Sequence, residues 1–408
     1  MTRAAVIRLK PYELLPFHNS SSHDEHLLRA GDGRYLRLSE DAAILLRAVD
    51  GCTSQEASAR ATSQLKTRVA PDDIEAFVAE FLVPHDLLEG TDARRQPGGL
   101  HLHFHLPILG AGMLTPVGRI LGILYLPPVI WTAALALVVS LTLFVATRSY
   151  AALDFSSIPL MPTVVLILLG FLVHEFGHVA AACHYGAPPR TMGVGLYLAR
   201  PVLFVDLTDC WALSRASRVM IDLGGVYFQS LYVLVLFAAS LVRDSYSLRM
   251  ACVMSSLTIL INMNPFLRMD GYWVMTDWLG VVNLSKKSMR LPVRFIEALR
   301  GTRREGDRDD IFTSRFVLIY GLVYCGVTLA VLLSLIVRLP DILSGVQTHV
   351  ADLKDALHQI EAGHVGEGLR AMNEYLLLFL APLYLVAVAL VTVVTRLNHR
   401  TNEESPDP

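Results

Sequence analysis

The pattern of hydrophobic and polar positions changes character near Pro107. Before it, apolar residues are interspersed with charges, as in a water-soluble protein. Beyond it they gather into long runs. In the first part, His26–Ser39 (HLLRAGDGRYLRLS) reads as two short strands around Gly31-Asp32-Gly33, a hairpin-turn signal. Three helices should follow. Glu40–Val49 is stopped by Gly51, Ser54–Leu65 starts behind a capping Thr53, and a third opens on Pro71-Asp72-Asp73 and runs to about Val83. Residues 12–90 are thus expected to form a small domain, and 91–107, with its polar TDARRQPGG stretch, a linker.

Six apolar runs follow, near Leu126–Thr147, Pro159–Tyr185, Val219–Val242, Leu248–Pro265, Phe316–Val337 and Tyr375–Val394. Each approaches or exceeds the roughly 20 residues that a bilayer crossing requires. The connections differ in basic residues. Arg190, Arg200, Arg215 and Arg218 follow the second run, and nine lie between Arg268 and Arg308. The first, third and fifth connections carry Arg148; Arg243 and Arg249; and Arg338, Lys354 and Arg370. The positive-inside rule then places both termini in the cytoplasm and predicts a multi-pass plasma-membrane protein. In the long fifth connection, 339–372, Val346, Val350, Leu353, Leu357 and Ile360 recur at helical spacing, as in an amphipathic helix on the outer surface. The main membrane region therefore covers 108–338, the last span 373–397 and a cytoplasmic tail 398–408.

Composition agrees with a chain that meets a lipid bilayer. Of 408 residues, 53% are hydrophobic and 18% charged, against about 25% charged in soluble domains; the mean hydropathy is +0.45. A formal net charge of -2 offers no basic surface for nucleic acid. The five cysteines form no C-x-x-C pair, so neither a disulfide framework nor a cysteine zinc site is expected. The N-terminal MTRAAVIRLKPYELLPF lacks the apolar core of a signal peptide, which keeps the first hundred residues on the cytoplasmic side.

Candidate chemistry is concentrated at residues 174–178, HEFGH. On a helix His174 and His178 are i and i+4, so both imidazoles leave one face at a spacing that suits one Zn2+. Glu175 cannot be a third ligand in that geometry, but it can take a proton from the attacking water. The pattern H-E-x-x-H arises by chance in roughly one chain in fifty of this length, so its setting matters. Pro159–Val173 just before it holds no charge, and ionisable groups on a membrane helix are functional candidates. A three-ligand site needs one more donor. Asp270, in NMNPFLRMDGYW, is favoured: Pro265 breaks the fourth run, Gly271 lets the backbone turn, and the topology brings both motifs to the cytoplasmic side. Asp206, Asp209, Asp277 and Glu297 are the alternatives. His101, His103 and His105 alternate in LHLHFHLP and fit an interfacial strand before the first run. Asp206 and Asp209 read as capping or loop residues.

These motifs resemble the intramembrane site-2 zinc proteases, which carry H-E-x-x-H on one span and N-x-x-P-x-x-x-x-D-G on a later one. Asn262, Pro265, Asp270 and Gly271 match that spacing over a resemblance covering about Pro159–Trp278. It implies that Asp270 is the third ligand, that Asn262 holds the substrate backbone, and that Met192–Asp206 is a membrane-embedded hairpin able to pair with an extended substrate. Where many members have G-P-x-x-N, this chain has Gly225-Val226-Tyr227-Phe228-Gln229, which makes Gln229 the candidate substrate contact there. Residues 24–90, through DGRYLRLSEDAAILLRAVDG and DDIEAFVAEFLVPHDLLEG, resemble PqqD-like domains, winged-helix modules that bind leader peptides of ribosomally made, modified peptides. That resemblance implies a leader strand added beside Tyr35, Leu36, Arg37 and Leu38.

The fold class expected is an all-α polytopic membrane protein of about six transmembrane helices, with a small membrane-embedded β-hairpin, plus an N-terminal α+β winged-helix-like domain. The function expected is a zinc metalloendopeptidase that processes a ribosomally made or membrane-associated precursor. Two other readings use the same residues: regulated intramembrane proteolysis of a membrane-anchored regulator, and a non-catalytic peptide export or immunity protein. The intact Glu175 speaks against the last.

Overall fold

A computed structural model describes residues 6–17, 25–90, 104–146, 159–197, 200–266 and 268–281, with shorter pieces at 284, 319–326 and between 329 and 364. The chain separates into two units. One holds Met1–His101 and Leu207–Arg218; the other holds Leu102–Asp206 and Val219–Ser405.

The first unit is built on an antiparallel sheet in the order β1 (Tyr12–Pro16), β2 (Glu25–Ala30), β3 (Tyr35–Ser39). The expected hairpin is β2–β3, closed by Gly33, whose φ of 83° a side chain would resist. β1 is an additional strand. Helices α1 (Glu40–Val49), α2 (Ser54–Leu65) and α3 (Pro71–Phe77) follow. Their ends obey local chemistry. The Ser39 hydroxyl accepts from Ala42 N–H, Thr53 and Glu56 form a reciprocal capping box, and Asp73 accepts from Ala70 N–H. The backbone N–H and hydroxyl of Thr53 hold the exposed Glu56 carboxyl below its usual range. After Phe77 the third helix widens into a π turn, Val78–Leu82.

Both faces of this sheet are covered. Leu28, Leu38, Leu46, Ile74 and Leu82 form a core between the strands and the helices. Because side chains alternate along a strand, Leu27 faces the other way, yet it is only 2% exposed. On that side lies Leu207–Arg218. Asp209 accepts a hydrogen bond from the Tyr35 hydroxyl and faces Arg29, Trp211 sits 6.2 Å from the Phe17 ring, and Arg218 lies over both rings.

The second unit opens with β4 (Phe104–Gly110), which pairs with β5 (Thr191–Tyr197); β5 in turn pairs with β6 (Arg200–Val205). The expected hairpin is β5–β6, and it carries a third strand. β4 begins inside the stretch 91–107 read as linker, because its strand partner lies far away in sequence. His105 on β4 meets Phe204 edge-to-face; His101 and His103 lie outside the described residues.

The helices are α4 (Ala111–Leu121), α5 (Pro127–Ala146), α6 (Leu160–His184), α7 (Arg215–Asp222), α8 (Gly224–Val242), α9 (Tyr246–Asn262) and α10 (Asp270–Leu279). Met161–His184 and Arg215–Val242 are long and apolar enough to cross a membrane; Ala111–Tyr125 and Pro127–Ser140, bent by 70°, would make a third if they form one span. This is fewer than six. α9 has 17 residues, about 26 Å of helix against a hydrocarbon core of about 30 Å. The fifth run and 339–372 are described only in pieces, and the sixth lies outside the described residues.

α6 and α8 approach at backbone contact. A Cβ on Gly177 would collide with the carbonyl of Gly224. Small residues permit this approach where apolar side chains gain nothing by leaving lipid.

Candidate metal centre

The side chains of the H-E-x-x-H motif project from α6. His174 and His178 are 6% and 8% exposed. The third group comes from beyond the end of α9. There the Asn264 side chain accepts from Phe266 N–H, turning the chain through Pro265. Any side chain at Gly271 would meet the backbone of Met263, so glycine lets α10 start against the end of α9. Asp270, the first residue of α10, then reaches both histidines: Oδ2 is 2.9 Å from His174 Nε2 and Oδ1 is 3.6 Å from His178 Nε2. The two Nε2 atoms are 3.2 Å apart.

This donor set fits a tetrahedral metal. Bonds of about 2.0–2.1 Å to nitrogen and oxygen place neighbouring donors about 3.3–3.4 Å apart, within the 2.9–3.6 Å spread measured here. Asp270 Oδ2 is buried with no hydrogen-bond donor, as a ligand atom would be. Both histidines turn Nε2 inward because Nδ1 is engaged outward, His178 with the Ile221 carbonyl at 2.9 Å and His174 with Gln229 Oε1 at 3.1 Å. A carbonyl oxygen only accepts, so each Nδ1 carries the hydrogen and each Nε2 keeps its lone pair. Gly225 lies over both rings: a Cβ there would strike His174 Nε2 and His178 Nε2. Among the described residues, these three side chains are the group arranged to hold an ion.

Glu175 shares α6 with the two histidines and is half-buried. It lies within electrostatic range of His178, His174 and Asp270. The other aspartates considered from the sequence go elsewhere. Asp206 follows β6 with its backbone bonded to Thr191 and Arg190, Asp209 is bound to Tyr35, and Asp277 on α10 interacts with Asp222; Glu297 lies outside the described residues.

The expected substrate contacts divide. Asn262 is half-buried at the last position of α9. Gln229 is 1% exposed with both ends of its amide engaged inside the protein, Oε1 with His174 and Nε2 with Thr258. In this arrangement its amide supports His174. Tyr35–Ser39 forms an outer strand of its sheet. Leu38, however, is 2% exposed and belongs to the core, and the Tyr35 hydroxyl is bonded to Asp209, so a partner strand would meet mainly the backbone. Sequence reasoning missed Gly225, Ile221 and Thr258. Gly225 stood in the element compared with the family, but nothing in its spacing signals a ring held against it.

An H-E-x-x-H helix and a converging aspartate thus occur beside helices long and apolar enough to cross a membrane. No protein-family model matches the chain, and no solved structure matches it. Over 125 residues it is 26% identical to the Bacillus subtilis (strain 168) protein named "Putative peptide zinc metalloprotease protein YydH", a match covering 30% of this chain and 50% of that protein. The chain thus spans half the length of this curated relative. The similarity supports a zinc protease role.

Proposed function

We propose that this protein is a multi-pass membrane zinc metalloendopeptidase, with His174, His178 and Asp270 as the metal ligands and Glu175 as the general base. The observation that carries this reading is the meeting of three donors from α6 and α10 at the spacing of one tetrahedral ion. A zinc ion held there would polarise the scissile carbonyl and acidify a water. Glu175 takes the water's proton and returns it to the leaving amine. Asn262, at the end of α9, orients the substrate backbone. The substrate enters as an extended strand, because the amide groups of a helix are bonded internally and out of reach of the site.

The substrate class proposed is a ribosomally made precursor peptide, captured by the N-terminal unit and cleaved in the membrane unit. The three-stranded sheet with β3 as an outer strand supports this, since an extended leader can pair with an edge. Both termini are proposed to be cytoplasmic, on the side where such a precursor is made.

The test is a substrate trap. Purified Glu175→Gln is expected to keep its zinc, lose cleavage and retain a peptide that the wild type releases as products. Turnover by this variant would remove Glu175 as the base. Capture of a membrane-anchored regulator instead of a precursor peptide would move the substrate class to regulated proteolysis.

A further inference from the structure

The two histidines are held by different kinds of acceptor. His178 Nδ1 meets the Ile221 carbonyl, which belongs to the backbone and cannot turn. His174 Nδ1 meets a glutamine side chain, whose amide can. If the Gln229 amide were reversed, its NH2 would face Nδ1. The imidazole would then have to carry its hydrogen on Nε2, where it cannot bind a metal.

A second side chain prevents this reversal. The Gln229 Nε2 donates to Thr258 Oγ1 at 2.7 Å, and the Thr258 hydroxyl donates to the Ser255 carbonyl at 2.8 Å. With its one hydrogen spent on Ser255, the Thr258 oxygen is left as an acceptor and selects the NH2 end of Gln229. The Oε1 end is thereby directed to His174. Gln229 is 1% exposed, so water has little access to replace either bond. The relay runs from the backbone of α9, through α8, to the imidazole on α6.

We propose that Thr258 and Gln229 are positioning residues that lock His174 in its metal-binding tautomer. The inference rests on the proposed metal role of His174 and goes beyond it, because it assigns metal affinity to two residues that touch neither metal nor substrate. It also explains how a longer glutamine serves in this element of α8: the extra methylene carries the carbonyl to the ring while the NH2 reaches α9.

The relay is tested by zinc affinity and by the absorption spectrum of the cobalt-substituted protein, both on the full chain in detergent micelles. Gln229→Met, similar in volume but without an acceptor, should weaken zinc binding about 10–100-fold, the range for lost outer partners of metal histidines. Gln229→Glu, whose carboxylate accepts from His174 Nδ1 while the Thr258 hydroxyl turns from Ser255 to donate to its other oxygen, should recover most of the binding lost in Gln229→Met. Thr258→Val should weaken zinc binding less than Gln229→Met and should alter the cobalt spectrum, since the amide is then free to turn. If Gln229→Met and Thr258→Val both bind zinc as wild type does, with unchanged cobalt spectra, the relay is refuted. So it is if Gln229→Glu binds as poorly as Gln229→Met, because loss of packing would then account for both. His174→Ala separates the two levels. Loss of zinc in this variant with no effect of the relay variants overturns the relay alone. Full zinc affinity in His174→Ala overturns the metal assignment on which the relay depends.

Discussion

The N-terminal unit and the helical unit differ in what is buried beside their apolar side chains. Leu28, Leu46, Ile74 and Leu82 are fully enclosed in the first. In the second, Leu236, Phe237 and Met250 are enclosed as well, but so are His174, His178, Gln229 and Ser255, while Leu168 and Val165 on the same helix as the histidines stand outward, more than half exposed. Water explains the first pattern and lipid the second. Where water surrounds the protein, large apolar side chains are driven inside. Where lipid surrounds it, they gain nothing by leaving, and close packing and hydrogen bonds hold the helices together.

That contrast can be broken by substitution. The largest effect is expected at Gly225. Gly225→Ala should abolish zinc retention, because its methyl would enter the space of both imidazoles; metal analysis of the purified protein reads this, and full zinc content would show that α8 can withdraw from the rings. Next comes Leu46→Ala in the N-terminal core, expected to cost about 2–5 kcal/mol. Proteolytic susceptibility of the N-terminal unit across a denaturant series measures it. Trp211→Ala should cost that unit about 1–2 kcal/mol through the lost ring and cation contacts, read in the same assay, although residue 211 lies far from residues 1–101 in sequence. An unchanged profile would mean that Leu207–Arg218 does not help to cover the sheet. The smallest effect belongs to Leu168→Ala, about 0.5 kcal/mol or less if its outward face meets only lipid.

The two regions also differ in how legible they were. α1 and α2 were readable because their stops and starts are local: Gly51 with its positive φ ends one, and Thr53 with Glu56 begins the other. The spacing in HEFGH likewise shows its own geometry, and the Pro265–Gly271 break pointed to Asp270. β1 and β4 were harder. β1 pairs with β2 across a connection that carries no short turn signal, and β4 finds β5 more than eighty residues later. Asp209 reads as a capping or loop residue because Tyr35 and Arg29, which it meets, are nearly two hundred positions away. From sequence alone the Gln229 amide can face anything; the packing of α8 against α6 and α9 engages both its ends.

The central claim is that Asp270 completes a zinc site with His174 and His178. Zinc affinity of wild-type protein and Asp270→Ala, measured side by side with a chromophoric chelator, tests it most directly. The wild type should hold about one zinc per chain, and Asp270→Ala should bind far more weakly while keeping its fold. Equal affinity in the two proteins would contradict the account.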